Sequence, residues 1–164
     1  KLGADVTGID FIEENIRVAK KHAKQSKLEI NYIVKDFEKE RLTSKYDVII
    51  IFEVLEHLEN WKSFLEKIQK NLKPNGVLIT STINRNLISK FLTIDLAENI
   101  LKWIPLNTHN YYKFIKPEEL KDNLTANNFK KIKFSGLSYN IFRHRIKYET
   151  YCSNRCRAFR HNSN

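Results

Sequence analysis

The chain has 164 residues, of which 41% are hydrophobic and 12% aromatic, and a formal net charge of +10. That length suits one domain with one core, and the apolar share excludes a disordered polyelectrolyte. No uncharged stretch is long enough to span a bilayer, and the positive field attracts nucleic acid, anionic lipid or acidic partners without choosing among them.

Ala4 to Asp10 reads as a strand that ends on an acidic residue, followed by an amphipathic helix from Glu13 to Gln25 with Ile16, Ala19 and Ala23 on one side. A carboxylate at such a strand tip can accept hydrogen bonds from both hydroxyls of a nucleotide ribose. Asp10 could equally serve the start of the helix. Leu28 to Val34 alternates apolar and polar residues and reads as a second strand.

In the stretch Asp47 to Phe52, the residues from Val48 to Phe52 carry no charge and are all β-branched or aromatic, the pattern of a strand buried on both faces of a parallel sheet. Charge then arrives abruptly with Glu53, Glu56 and His57. Ligands of open α/β sheets bind beyond the carboxyl ends of the strands, where these side chains stand. If the chain continues as a helical turn, the three share one face at i, i+3 and i+4 and could hold a divalent metal. Acidic residues in a first helical turn are also favoured by the helix dipole alone.

A helix is expected from Asn60 to Leu72, ended by the turn Lys73-Pro74-Asn75-Gly76, and Val77 to Ile83 follows as a strand. Strands alternating with helices imply a doubly wound, parallel α/β sheet. Arg85 to Ile104 breaks the rhythm. Its large apolar residues interleave with Lys90, Asp95, Glu98 and Lys102, which suits either a membrane-interface helix or a lid over a crevice. Pro117 begins another helix running to Asn127, and Phe129 to Tyr139 reads as a strand that turns at Gly136. Cys152 and Cys156 lack a second cysteine pair or clustered histidines and read as free thiols. The chain has no Met, so Lys1 is not a translation start, and an incomplete chain is expected.

Val6-Thr-Gly-Ile-Asp10, Phe52-Glu-Val-Leu-Glu-His-Leu58, Ser81-Thr-Ile-Asn-Arg85, Trp103-Ile-Pro-Leu-Asn-Thr-His109, Phe114-Ile-Lys-Pro117 and Gly136-Leu-Ser-Tyr-Asn140 together resemble the class I S-adenosylmethionine-dependent methyltransferases. Within that class they resemble the ubiquinone-biosynthesis O-methyltransferases. The resemblance implies a Rossmann-like sheet and methyl transfer from S-adenosylmethionine to a phenolic oxygen of a polyprenylated ring. It implies that Asp10 binds ribose and Phe52 the adenosine part of the cofactor. Glu53, Glu56 and His57 then match a set associated with magnesium, and His57, if not a ligand, could act as general base. Residues 87–104 match a membrane-associating insertion, which implies an anionic membrane surface as partner, alongside a ubiquinone-biosynthesis complex. The implied location is cytoplasmic, at the inner face of the cell membrane, or the matrix side in a mitochondrion.

The family's glycine-rich loop and first, central strand would precede Lys1, so residues 1–145 are expected to be a partial domain with impaired cofactor binding. Residues 146–164 have no family match and are expected to be a divergent, disordered tail. The rival readings are an inactive gene-fragment product, a peripheral membrane protein without catalysis, and a basic nucleic-acid-binding module. The last is disfavoured because lysines are spread along helix faces without a recognition motif.

Overall fold

The computed structural model describes residues 3–85, 110–140 and 145–149, the backbone alone for 137–140 and 145–149. In chain order the elements are β1 (Thr7–Asp10), α1 (Glu13–Gln25), β2 (Asn31–Val34), β3 (Tyr46–Phe52), a 3-10 turn (Leu55–His57), α2 (Trp61–Lys70), β4 (Leu72–Ser81), a second 3-10 turn (Tyr111–Lys113), α3 (Pro117–Ala126), β5 (Gly136–Asn140) and β6 (Arg145–Glu149).

β1 and β2 pair in parallel from Thr7 opposite Asn31 to Asp10 opposite Val34. Gly8 makes this pairing possible, because a Cβ there would lie 2.7 Å from the Tyr32 ring. α1 connects the two strands. Glu13 and Glu14 in its first turn and His22 and Lys24 in its last both oppose the helix dipole favourably. It turns Ile16 and Ala23 inward.

β3 and β4 form the second parallel pair, in register from Val48 opposite Val77 to Phe52 opposite Ser81. The register slips between Tyr46 and Val48, where Lys73 to Gly76 bulge out of the ladder and Asn75 takes a left-handed φ of 65°. One face of this pair builds the core. Ile51, Leu55, Phe64, Leu65, Ile68, Ile115, Leu120 and Leu124 are buried together, with Ile49 and Leu78 packed against them. The opposite face stays open: Val48, Ile50, Phe52, Val77 and Ile79 are 49%, 59%, 58%, 51% and 44% exposed.

Polar contacts lock α2 to the segment before β3. Asn60 caps the helix by accepting from Ser63 N–H at 3.1 Å. At the other end buried Asn71 donates through Nδ2 to the carbonyls of Leu42 (2.9 Å) and Ser44 (2.8 Å), while its own carbonyl accepts from Tyr46 N–H. Phe37 meets Phe64 edge-on at 5.4 Å. Beyond β4, Arg85 pairs with Glu119 of α3, and Ile115 N–H donates to Ile83 O at 3.2 Å.

The α/β class with parallel strands agrees with the pattern of the sequence, and three expectations need correction. Among the described residues the parallel strands form two separate pairs, as expected of a sheet without its central strand. Glu53 to Leu58 is no α-helical turn: Glu53 has a left-handed φ of 52°, and only Leu55–His57 winds, as a tighter 3-10 turn. Phe129, Ile132 and Phe134 pack on the core from an irregular segment, and the strand begins only at Gly136. Residues 146–149, expected as the start of a disordered tail, instead belong to a strand, Arg145–Glu149, that pairs antiparallel with β5. Residues 87–104, His109, Cys152 and Cys156 lie outside the described residues.

Candidate functional site

The site is built where β3 and β4 end side by side. Parallel register sets Phe52 opposite Ser81, and from there each chain departs with polar residues. Glu53 takes the left-handed conformation that costs a non-glycine residue roughly 1–2 kcal/mol, and Ser81 holds it there. The Glu53 N–H donates to Ser81 Oγ at 3.2 Å, and the Ser81 hydroxyl donates in return to Glu53 Oε1 at 2.5 Å. A hydroxyl bond to a carboxylate is of the strong, charge-assisted kind.

Three residues on, the 3-10 turn buries Leu55 completely and carries Glu56 inward with it, to 3% exposure. Thr82 Oγ1 donates to Glu56 Oε2 at 2.9 Å, and Oε1 is buried with no hydrogen-bond partner. Burial pushes this carboxyl above the usual carboxylate range, and the neighbouring Glu53 charge pushes the same way, against the Thr82 hydrogen bond. Two carboxyl groups therefore interact at the strand end, one exposed and one buried with a free acceptor.

His57 is exposed and does not complete a triad with them: among the described residues no group of three or more His, Cys, Asp or Glu is placed to hold a metal ion. The shared helical face expected for Glu53, Glu56 and His57 fails because Glu53 is left-handed and the winding that follows is 3-10. The donor chemistry fits a hard cation at the carboxylate pair, where Glu56 Oε1 lacks a partner, and does not fit the three-residue set.

Asp10 stands at the tip of β1. Its Oδ1 accepts from Ile12 N–H at 2.8 Å and its Oδ2 from Asn15 Nδ2 at 3.0 Å. It thus organises the start of α1, while each oxygen retains acceptor capacity for a further donor. Phe52, at the tip of β3, presents its ring on the open face. Ser81 and Thr82 are the partners that residue-by-residue reading missed. The sequence signalled them only as part of the Ser81–Arg85 motif, a hydroxyl pair closing a strand, whose partners depend on the β3–β4 register.

A family described as a methyltransferase domain matches residues 1–147. The chain belongs to the methyltransferase-domain family. Among its relatives are proteins named ubiquinone biosynthesis O-methyltransferase. That of Pelagibacter ubique is 43% identical over 141 residues, covering 86% of this chain and 59% of the relative. That of Rickettsia canadensis is 41% identical over 145 residues, covering 88% and 61%. This methyltransferase domain thus spans about three fifths of the length of the curated relatives it matches.

Solved structures agree on the fold. The magnesium protoporphyrin IX methyltransferase of Synechocystis, with bound SAH, superposes with a TM-score of 0.64 at 23% identity, covering 85% of this chain and 60% of that one. The plantazolicin methyltransferase BpumL, in complex with a pentazolic analog and SAH, superposes with a TM-score of 0.62 at 26% identity, covering 82% and 51%.

Proposed function

We propose that this methyltransferase domain belongs to an S-adenosylmethionine-dependent O-methyltransferase of ubiquinone biosynthesis, which methylates a phenolic hydroxyl of a polyprenylated catechol. The observation that carries the reading is the 40–43% identity, over 84–88% of the chain, to relatives of that name. Asp10 would accept from the ribose hydroxyls of S-adenosylmethionine, and the exposed Phe52 ring would face its adenosine part.

Glu53 and Glu56 would hold a divalent cation, magnesium being the one that two carboxylates suit best. Such an ion, when bound, polarises a phenolic oxygen and favours its ionised form. Glu56 would meet the cation as a carboxylate, so binding would oppose the upward push of burial on its proton affinity. His57, exposed and one residue on, is the candidate to take the phenolic proton. A substrate with an isoprenoid tail stays in the bilayer, and peripheral attachment to an anionic membrane surface at the cytoplasmic face, within a ubiquinone-biosynthesis complex, suits that chemistry. No helix among the described residues is long and apolar enough to cross a membrane.

A chimera tests the reading. Residues 1–147 replace the matching stretch of the Pelagibacter ubique relative, and the purified product is assayed with S-adenosylmethionine and a short-chain polyprenyl catechol. Methyl transfer that is lost in Asp10→Ala is the expected result. A folded chimera that binds S-adenosylmethionine yet leaves the catechol unmethylated sinks the substrate assignment.

A further inference from the structure

The bulge of β4 joins two residues for separate structural reasons. Lys73-Pro74-Asn75-Gly76 has the residue order of a type II turn, Pro second and a left-handed residue third, and Asn75 has a φ of 65°. Asn tolerates that conformation better than most residues. Gly76 answers a different need, because a Cβ there would lie 2.9 Å from the Lys73 carbonyl oxygen and 3.2 Å from that of Asp47. The result is the only Asn-Gly pair in the chain.

Such a pair is reactive. A glycine nitrogen has no neighbouring side chain to shield it from the preceding Asn amide, and its attack closes a five-membered ring, a geometry that proximity favours strongly. Asn75 is exposed. Tyr46 stands opposite Leu72 and the pairing resumes with Val48 opposite Val77, so residues 73–76 have no ladder partner to hold them from the attack geometry. Two other asparagines show the opposite condition. Asn71 is buried, and its Nδ2 donates to the Leu42 and Ser44 carbonyls at 2.9 and 2.8 Å. Asn128 shares the left-handed φ, at 62°, but precedes Phe129, whose N–H donates to the Leu124 carbonyl at 3.0 Å.

We propose that Asn75 is a site of spontaneous deamidation in the folded protein, and that its conversion loosens the start of the β3–β4 pairing. Base removes the Gly76 N–H proton, and the nitrogen bonds to Asn75 Cγ. The Cγ–Nδ2 bond breaks, and the Nδ2 group takes up a proton and leaves as ammonia. Water then opens the cyclic imide. Cleavage between nitrogen and Cγ gives aspartate, and cleavage between nitrogen and the main-chain carbonyl carbon gives isoaspartate. In sum an amide and a water become a carboxylic acid and ammonia, with no change of oxidation state. Aspartate places a new carboxylate two residues from Lys73, whose ammonium Asp47 holds at 2.8 Å. Isoaspartate adds a methylene to the main chain beside Gly76, which already lies close to the Lys73 and Asp47 carbonyls.

The test incubates the full chain at mildly alkaline pH in water enriched in heavy oxygen, then digests it in ordinary water. Mass spectrometry of the tryptic peptide 71–85 reads the label. The expected result is label at Asn75, as both aspartate and isoaspartate, with Asn71 and Asn128 still amides. Urea below the unfolding transition should leave the rate unchanged, since the reaction belongs to the folded state. The thermal midpoint of the converted chain should fall by roughly 2–4 °C. Asn75→Gly keeps the left-handed φ without strain and has no amide to lose, so it should keep its midpoint through the same incubation. Three results overturn the assignment of the site: no conversion in the folded chain while the urea-unfolded chain reacts, a rate that climbs with urea in step with the unfolded fraction, or label at Asn71 and Asn128 as fast as at Asn75. A midpoint unchanged by full conversion overturns the loosening of β3–β4.

Discussion

Thr82 donates its hydroxyl to one oxygen of the Glu56 carboxyl at 2.9 Å, and the other oxygen is buried facing no donor. That half-satisfied carboxyl gives the fold a pH dependence with a definite sign. Its folded proton affinity is raised by burial above the ordinary value of 4.5, so the native state holds the proton more tightly than the unfolded chain. The stabilisation is fully present below pH 4.5 and is lost as pH rises through the folded value. The difference in unfolding free energy between the native sequence and Glu56→Gln should fall with rising pH across that window, by at most about 1.4 kcal/mol per unit. Urea titrations at several pH values measure it, and a difference independent of pH contradicts the assignment. Thr82→Val removes a side-chain bond that favours the ionised form, so it should move the window to higher pH.

The reciprocal bonds between Ser81 and Glu53 hold a left-handed residue at the exit from β3. Ser81→Ala should cost on the order of 1 kcal/mol. In a Glu53→Gly background, where the left-handed φ is free of strain, the same change should cost measurably less. Chemical denaturation of the four proteins of this cycle reads the coupling directly; additivity would mean that Ser81 does not hold the turn.

Asn71 satisfies two carbonyls of the segment leading into β3 with a single side-chain amide. Asn71→Leu fills the space without the donors, leaving the Leu42 and Ser44 carbonyls short of a partner. A loss of about 2 kcal/mol or more is expected, seen as a lower denaturation midpoint at an unchanged slope. Hydrogen exchange should accelerate first at Tyr46, whose N–H bonds to the Asn71 carbonyl.

Gly8 lies under the Tyr32 ring, with only 2.7 Å available to a Cβ. Gly8→Ala should destabilise by about 1–3 kcal/mol, the range for overpacking. Adding Tyr32→Ala should recover part of that loss, because the obstructing atoms are gone. A double-mutant cycle on thermal stability checks this, and equal costs in both backgrounds would place the strain elsewhere.

What the sequence determined by itself was local. The 3.6-residue period, with lysines opposite Ile16, Ala19 and Ala23, marked α1 from Glu13 to Gln25, and the Pro-Glu-Glu start marked α3. The β-branched run located β3, and the abrupt polarity after Phe52 located the site at its end. Each of these is a property of neighbours along the chain, which is why it could be read there. The same reasoning failed from Glu53 to His57, because a helical face presumes helical backbone at every step, and two reciprocal hydrogen bonds with Ser81, 28 residues away, favour a left-handed Glu53 instead. Only tertiary structure decided that Glu56 would be buried with one oxygen unsatisfied. Its depth follows from Leu55 sinking beneath it into the core and from the register that sets Thr82 beside it. Only tertiary structure, too, turned the apolar run of β3 into one covered face and one open one, since a strand's residues state their preference for burial but not which partner supplies it.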